Sequence, residues 1–432
     1  FLKNLKIIDY VFIVNDKTAS PVIEKIKPNY YCKGVEYKRK DAIGNLKQEK
    51  EMLKKHRGKI VFLGKNVQSS SRLISSNLFN IDDLKFENYL KKTNFSKLEE
   101  IKKKINNVKI VVIGETIIDQ YTYVKTVGVS PKSNTLSCIE TQNQYMAGGT
   151  LATYKFLSSF IKNVKHISIV NQNMSSKVFI KNLFKKNQNI IKSKNYEKLI
   201  KKRIIEGNKE TPLNKILTLN EFEVKELSKS DEEVVMDKLK KFIKNADLII
   251  AQDFGHGFFT KKIVNFLQSK SKKLSINVQT NSLNYGYNII SKKFKKSDFV
   301  SLDERELQLF EGKKEINYEK SLKSLSKFLS AKKAFLTCGG KFSLMYSNNK
   351  FLKIPVLNKK AIDTMGAGDI FHSIASVMSL ISKDDNLNLL ISQIAGAHAV
   401  EIIGNSSYPK FSEIVNTVKF YQSSLQKKKN LI

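Results

Sequence analysis

Short apolar runs recur along this chain at intervals that leave room for a helix between neighbours. They are Tyr10–Val14, Ile60–Leu63, Lys109–Ile113, His166–Val170, Leu248–Ala251, Leu274–Val278, Phe299–Leu302 and Ala334–Thr337. Each is too short for a buried helix and suits a buried strand. Helical patterns lie between them, as in Glu232–Ile243 and Tyr318–Leu329. Strand and helix in alternation predict an α/β fold around a mainly parallel sheet. Two polar stretches rich in Thr, Tyr and Val, Gln120–Tyr145 and Lys202–Glu223, break the alternation. They read as a small antiparallel accessory sheet, a β lid able to cover a site. The pattern is weakest over Ser75–Asn107, where Phe95–Ile105 is a charged helical stretch. A chain of 432 residues calls for two domains. The expected division is 1–80, a connecting helical region over 81–107, and a larger domain over 108–432.

Composition narrows the setting. No apolar run approaches the roughly 18 residues that span a bilayer, and no secretory signal pattern is present. The chain begins at Phe1, so residues upstream of it are expected. Cys32, Cys138 and Cys338 form no C-x-x-C pair, which points to a reducing cytoplasm and to no zinc or redox site. The net charge of +36 raises nucleic acid or an anionic membrane as partners. However, the lysines run from end to end, together with abundant Asn and Ile and no Trp. That is the imprint of codon drift rather than of a binding face. Neither nucleic acid nor membrane is expected as a partner.

The most specific pattern is Asp363-Thr364-Met365-Gly366-Ala367-Gly368-Asp369. Ile370, Phe371, Ile374, Val377, Met378 and Ile381 follow it at helical spacing. A helix starting near Gly368 turns its first backbone N–H groups and its dipole toward one point. Small residues let those amides converge, so Gly366, Ala367 and Gly368 form an anion hole suited to a transferring phosphoryl group. Asp369 beside it is placed to accept a proton from an attacking hydroxyl. The plain alternative is that Asp369 caps the helix.

This segment resembles the second signature of the ribokinase-like (PfkB-type) sugar kinases, and the resemblance runs from about Val108 to the end of the chain. It implies a ribokinase-like domain using ATP and Mg2+. Gly114-Glu115-Thr116-Ile117-Ile118-Asp119 resembles that family's first strand and its sugar-binding Asp, here Asp119. Ala147-Gly148-Gly149 resembles its Gly-Gly motif against the substrate. By the same resemblance Asn277 approaches the ATP phosphates, and Thr337, Gly339 and Gly340 form the turn lining the nucleotide. Asn405 falls in the loop on the adenine side. Asp303-Glu304-Arg305-Glu306 resembles an N-x-x-E element linked indirectly to magnesium through Glu306, with Asp303 where Asn is usual. Ala152 stands where an Asn often follows the Gly-Gly pair. The turn Asp253-Phe254-Gly255-His256-Gly257, with Gln279-Thr280-Asn281-Ser282 and Tyr285-Gly286, resembles a subgroup fused to nucleotidyltransferase domains. Asp253 is a substrate-binding candidate there. His256 is read either as functional or as a hydrogen-bonded structural residue.

Upstream, Lys33-Gly34-Val35-Glu36-Tyr37 and Ser69-Ser70-Ser71-Arg72-Leu73-Ile74 are similar to the C-terminal half of a cytidylyltransferase-like domain, of the kind joined to heptose kinases. Lys33, Gly34, Ser70 and Ser71 would be its remnant, in a partial Rossmann-like α/β domain. Read without that likeness, they are a Lys-Gly turn and a Ser cap. The H-x-G-H motif such a domain needs is absent, and His56 is the sole histidine before residue 100. No P-loop and no G-x-G-x-x-G occurs. The expected activity is ATP-dependent phosphorylation of a hydroxyl on a sugar or sugar phosphate, such as a heptose phosphate used in nucleotide-sugar synthesis. A nucleoside or vitamin kinase of the same fold, and a non-catalytic ligand-binding scaffold, are the alternatives. A homodimer is left open.

Overall fold

Strands buried on both faces must alternate their side chains between two separate cores, and this chain does so. The computed structural model describes Tyr10 and residues 19–34, 45–63, 84–176, 181–184, 189–207, 213–357 and 361–429. It divides into two compact units, Phe1–Asn77 and Leu78–Ile432.

In the first unit, β1 (Tyr30–Gly34) and β2 (Lys59–Leu63) pair in parallel. Helices Ser20–Ile26 and Asn45–Lys55 accompany them, and Ile23 and Leu53 are buried. Lys33 lies within β1 rather than in a turn after it, and its ammonium is paired with the buried carboxylate of Glu49. Gly34 ends the same strand. Ser70 and Ser71, and all of Tyr10–Val14 except Tyr10, lie outside the described residues.

The second unit is built on β3 (Lys109–Gly114), β6 (Asn163–Ile167), β11 (Leu248–Asp253), β12 (Leu274–Val278), β13 (Phe299–Asp303), β14 (Lys333–Thr337), β15 (Phe342–Ser347) and β16 (Lys350–Pro355). They form one sheet in the order β16-β15-β14-β13-β12-β11-β3-β6. It is parallel from β6 to β14 and closes with an antiparallel hairpin, β15–β16, that the apolar runs do not announce. Ile110, Val112, Leu248, Ile250 and Phe335 face one core; Val111, Ile113, Ile249, Ala251 and Leu336 face the other. The first core is closed by helices that include Leu84–Lys91, Leu98–Lys104, Ala367–Ile381, Asp385–Ala399 and Phe411–Lys429. Thus 84–107, read from sequence as a connection, is part of this unit. Phe86, Tyr89, Leu90, Leu98, Ile101 and Ile105 are all buried in it. Charged residues on the outer face hid that apolar stripe.

A second sheet stands apart, in the order β10 (Asn214–Asn220), β9 (Ile200–Glu206), β4 (Thr116–Val129), β5 (Leu136–Gly149). It is the expected accessory sheet with one correction. Its outer pairs are antiparallel, but the central pair β4–β9 is parallel. Alternation along a strand reports which face is polar and says nothing of a partner's direction. The run His166–Val170 also divides: after Ile167 the chain leaves the main sheet, and β7 (Ile169–Asn171) pairs with β8 (Ile191–Ser193).

Phe86 meets Tyr421 edge to face, with ring centroids 5.1 Å apart at 87°. Phe86→Ala should therefore lower unfolding free energy by about 3–5 kcal/mol, read from urea midpoints. A loss below about 0.5 kcal/mol would make helix Leu84–Lys91 a surface addition.

Candidate functional site

Parallel strands end together, and their carboxyl ends leave a crevice where ligands bind in α/β sheets. Here Gly114, Asp253, Val278, Asp303 and Thr337 end five such strands. A cleft of about 280 Å³ opens at that edge. From the helix side, Thr364, Met365, Gly366, Gly368 and Asp369 line it. Asp119, Gly149, Lys201 and Arg203 line it from the accessory sheet, and Asn277, Gln279, Asp303, Glu306, Thr337 and Asn405 are among the other residues of the wall.

Gly366 is the N-cap of helix Ala367–Ile381, with φ +76° in the left-handed region, and no side chain caps that end. A Cβ there would also lie 2.6 Å from Asn405 Oδ1. Asp369 therefore sits in the first turn and is not the cap. Its Oδ1 accepts from Gln252 Nε2 at 3.0 Å and Gln279 Nε2 at 2.5 Å. The N–H groups of Gly368 and Asp369 have no acceptor among the described residues, as expected in a first helical turn left open for an anion. Ala367, the first helical residue, precedes them, and its N–H donates to Thr364 O at 3.4 Å.

Asp363, at the head of the motif, has another task. Its fully buried carboxylate accepts from Tyr121 Oη at 2.7 Å, Lys215 Nζ at 2.7 Å, Gly404 N at 2.8 Å and Met365 N at 3.1 Å. Burial opposes its charge, but Lys215, Tyr121 and the Met365 amide together hold the carboxyl below its ordinary range.

Asp119 is on β4, opposite Lys201 of β9. Its Oδ1 is paired with the buried guanidinium of Arg203, which also lies 5.7 Å from the Tyr121 ring centroid. Gly148 backs it from β5, and a Cβ there would come within 2.4 Å of Asp119 Oδ2. Neither Lys201 nor Arg203 was singled out from sequence. The signal was faint. Arg203 is one of five arginines in a lysine-rich chain, on a strand whose alternation puts it on the same face as Lys201.

Glu306 lines the cleft, but both its oxygens are engaged. Oε2 accepts from Asp303 N at 2.8 Å and Oε1 from Thr280 N at 3.1 Å. Asp303 completes a capping box by accepting from Glu306 N at 2.8 Å, so Asp serves here as Asn would. Asn277 donates to Ser301 O at 2.8 Å and accepts from Gln279. Among the described residues no group of three or more His, Cys, Asp or Glu could hold a metal ion. A divalent ion would need phosphate oxygens and water for most of its shell, which is how Mg2+ is commonly bound.

Some expected residues do not reach the cleft. Asp253 is fully buried, accepts from Gly255 N at 2.8 Å and pairs with Lys293 at 2.7 Å. Its carboxylate braces the glycine-rich turn instead of facing a substrate. Glu115 braces the same turn, accepting from Phe254 N at 3.1 Å and His256 N at 3.0 Å. His256 is buried with no hydrogen-bond partner for either ring nitrogen among the described residues. Burial pushes its pKa down to about 3, leaving a neutral ring packed edge-on to Phe222. Gly339 and Gly340 lie in the β14–β15 turn beyond Thr337.

Asp369 keeps part of its surface on the cleft, yet protein encloses its carboxyl. Burial, with Asp119 adding to it against Gln279 and Lys201, raises its pKa from 3.8 to about 7. Burial and then Asp253 raise Glu115 from 4.5 to about 7. In both cases the folded state keeps a proton that the unfolded chain releases. Their contribution to stability therefore falls as pH rises from about 4 through about 7. Asp369→Asn should flatten that decline, leaving the part due to Glu115 and to Glu306 and Asp303, whose carboxyls burial also raises. Urea midpoints measured across this range check it, and an identical slope in both proteins would contradict the raised carboxyl at Asp369.

Comparison with known proteins bears on the family and the fold. The family model described as pfkB family carbohydrate kinase matches residues 107–387. A Bifunctional protein HldE from Campylobacter jejuni is 25% identical over 265 residues, covering 60% of this chain and 54% of that protein. The chain thus spans about half the length of this relative. Among solved structures, ribokinase from Thermotoga maritima is 18% identical with a TM-score of 0.55, over 72% of this chain and 99% of that one. Phosphofructokinase-2 from Escherichia coli is 10% identical with a TM-score of 0.57, over 73% and 99%. These two show a shared fold. With more than half its length matched, and the signature helix, its glycines and Asp369 gathered at one cleft, the chain belongs to the pfkB family of carbohydrate kinases.

Proposed function

We propose that this chain transfers the terminal phosphoryl group of ATP to a hydroxyl of a sugar or sugar phosphate, a heptose phosphate being the leading candidate. The observation that carries the reading is the pairing of an open helix N-terminus at Gly366–Gly368 with a carboxylate, Asp369, whose pKa lies near neutrality. ATP with Mg2+ supplies the phosphoryl group and neutralises its charge, with Asn277, Thr337 and Asn405 on the nucleotide side of the cleft and Glu306 holding the turn beside it. Asp119 and the Gly148-Gly149 turn hold the acceptor, and Asp369 takes the proton from its hydroxyl. The amides of the first helical turn stabilise the charge on the group in transfer. The accessory sheet covers the cleft and keeps water from competing with the acceptor.

The family match starts at residue 107, and we read residues 1–80 as the C-terminal part of a nucleotidyltransferase-like domain. Without H-x-G-H this chain would not itself transfer a nucleotidyl group. A longer gene product would supply that step. The heptose reading rests on the likeness to bifunctional relatives. A cytoplasmic setting, where ATP is available, belongs to the same proposal. So does a homodimer covering the exposed Val127, Val129, Leu136 and Ile139 of the accessory sheet.

Asp369→Asn decides the central claim. The variant should bind ATP-Mg2+ and melt within a few degrees of the wild type, and turn over at least about a hundredfold more slowly. A near-normal kcat would remove Asp369 as the base.

Gly148→Ala and Asp119→Ala test the acceptor side. The added methyl would push on Asp119 Oδ2, and the second change removes the carboxylate. Both should raise the acceptor KM by at least about tenfold while the ATP KM stays within about twofold. Equal damage to both constants would assign Asp119 to the fold.

A further inference from the structure

Asp369 has two carboxylate oxygens, and the neighbouring side chains treat them unequally. Gln252 and Gln279 reach it from the ends of two different strands, and both donate to Oδ1, at 3.0 Å and 2.5 Å. Gln252 is fully buried at the end of β11, and its Oε1 has no partner among the described residues. Asp369 is thus the one recorded partner of its side-chain amide. Gln279 follows β12 by one residue. It bridges Asp369 and Asn277, whose Oδ1 accepts from the same Nε2 at 3.0 Å. Its backbone is pinned as well, since Asn288 Nδ2 donates to Gln279 O at 3.0 Å and Gln279 N donates to Asp253 O at 2.8 Å.

We propose that Gln252 and Gln279 are positioning residues for the reaction: together they hold Asp369 Oδ1, so that Oδ2 is the oxygen presented to the acceptor hydroxyl. This rests on the kinase reading above. A lone carboxylate at a helix start can rotate about its terminal torsion. Two donors on one oxygen, anchored to adjacent strands, remove that freedom and define which lone pairs receive the proton. A hydrogen bond to a carboxylate also favours its ionised form. A base enclosed by protein needs that help, because burial favours the protonated, inactive form. Asn277 lies on the nucleotide side, so Gln279 ties the base to the strand end that faces the phosphates. The charged groups around Asp369 are Asp119 on β4, Lys201 on β9 and Glu306 on helix Glu304–Glu311. Replacing a neutral amide by an apolar side chain leaves all three in place.

The test uses Gln279→Leu and Gln252→Leu in the full chain. Gln279 is only half-buried at the cleft wall, so its variant is read first. The first measurement is the titration of Asp369 by carbon NMR of 13C-carboxyl-labelled aspartate, its signal assigned by its loss in Asp369→Asn. Each variant should raise that midpoint by about one pH unit. The second is the acid limb of kcat against pH, which should move upward in step, with the rate partly restored at alkaline pH and the ATP KM within about twofold. A residue that served only the fold would lower the rate at every pH and leave the limb where it was. A folded Gln279→Leu with an unmoved Asp369 midpoint and unmoved acid limb overturns the proposal. A shifted midpoint in a protein that phosphorylates no sugar or sugar phosphate would keep the clamp and overturn the kinase reading. An unmoved midpoint in an active kinase would do the reverse.

Discussion

The carboxylate of Asp363 is where the parts of the second unit are tied together. It accepts from Tyr121 on β4 and Lys215 on β10, and from the backbone of Met365 and Gly404. One group thus joins the accessory sheet, the turn into the signature helix and the loop before Asn405. A buried carboxylate is costly unless every lone pair is used, and losing one partner of such a charge costs about 3–5 kcal/mol. Here four donors converge on it. That makes the relative placement of sheet, turn and loop a single electrostatic condition, on which the shape of the cleft then depends.

The same accounting runs through the site. Asp119 is matched by Arg203, and Asp253 by Lys293. Glu115 and Glu306 are held by backbone amides. Each of these carboxylates is engaged with a specific partner that fixes a turn or a strand. Asp369 is the acid whose visible partners are neutral side-chain amides, both on one oxygen. Its pKa near 7 follows first from burial, which raises Glu115 and Glu306 as well. An ion pair would have driven the carboxyl down and left a weaker base, whereas amides orient it without neutralising it. Among the described residues Glu115 and Glu306 also have no ion pair, but Asp369 is the one of the three that lines the cleft without backbone amides closing off both its oxygens.

Much of the architecture was legible in the residues. Runs such as Leu248–Ala251 and Ile110–Ile113 are apolar throughout because a central parallel strand is buried on both faces. Helix Tyr318–Leu329 was readable to the residue because its stripe is regular and Asn317 caps it. Where polar and charged residues crowd the outer face, the reading faltered. Helix Leu98–Lys104 buries only Leu98 and Ile101, with Lys and Glu around them, and so passed for a connector. The direction of β9 beside β4 was equally hidden, since a strand's own alternation carries no information about its partner.

The local motif by itself determined the signature turn, the helix after it and a carboxylate in its first turn. Those depend on neighbours in sequence: glycine's access to a left-handed backbone at Gly366, and the helical spacing of Ile370, Phe371 and Ile374. Only the tertiary structure decided which acids face the cleft and which are spent on the fold. Asp253 and Asp119 each end or follow an apolar strand and look alike in the sequence. One is closed off by Lys293, forty residues on, and the other opens on the cleft beside an arginine eighty-four residues away. Burial, pairing and pKa are properties of the space around a group. That space is assembled from strands distant in the chain, so no local pattern could hold it.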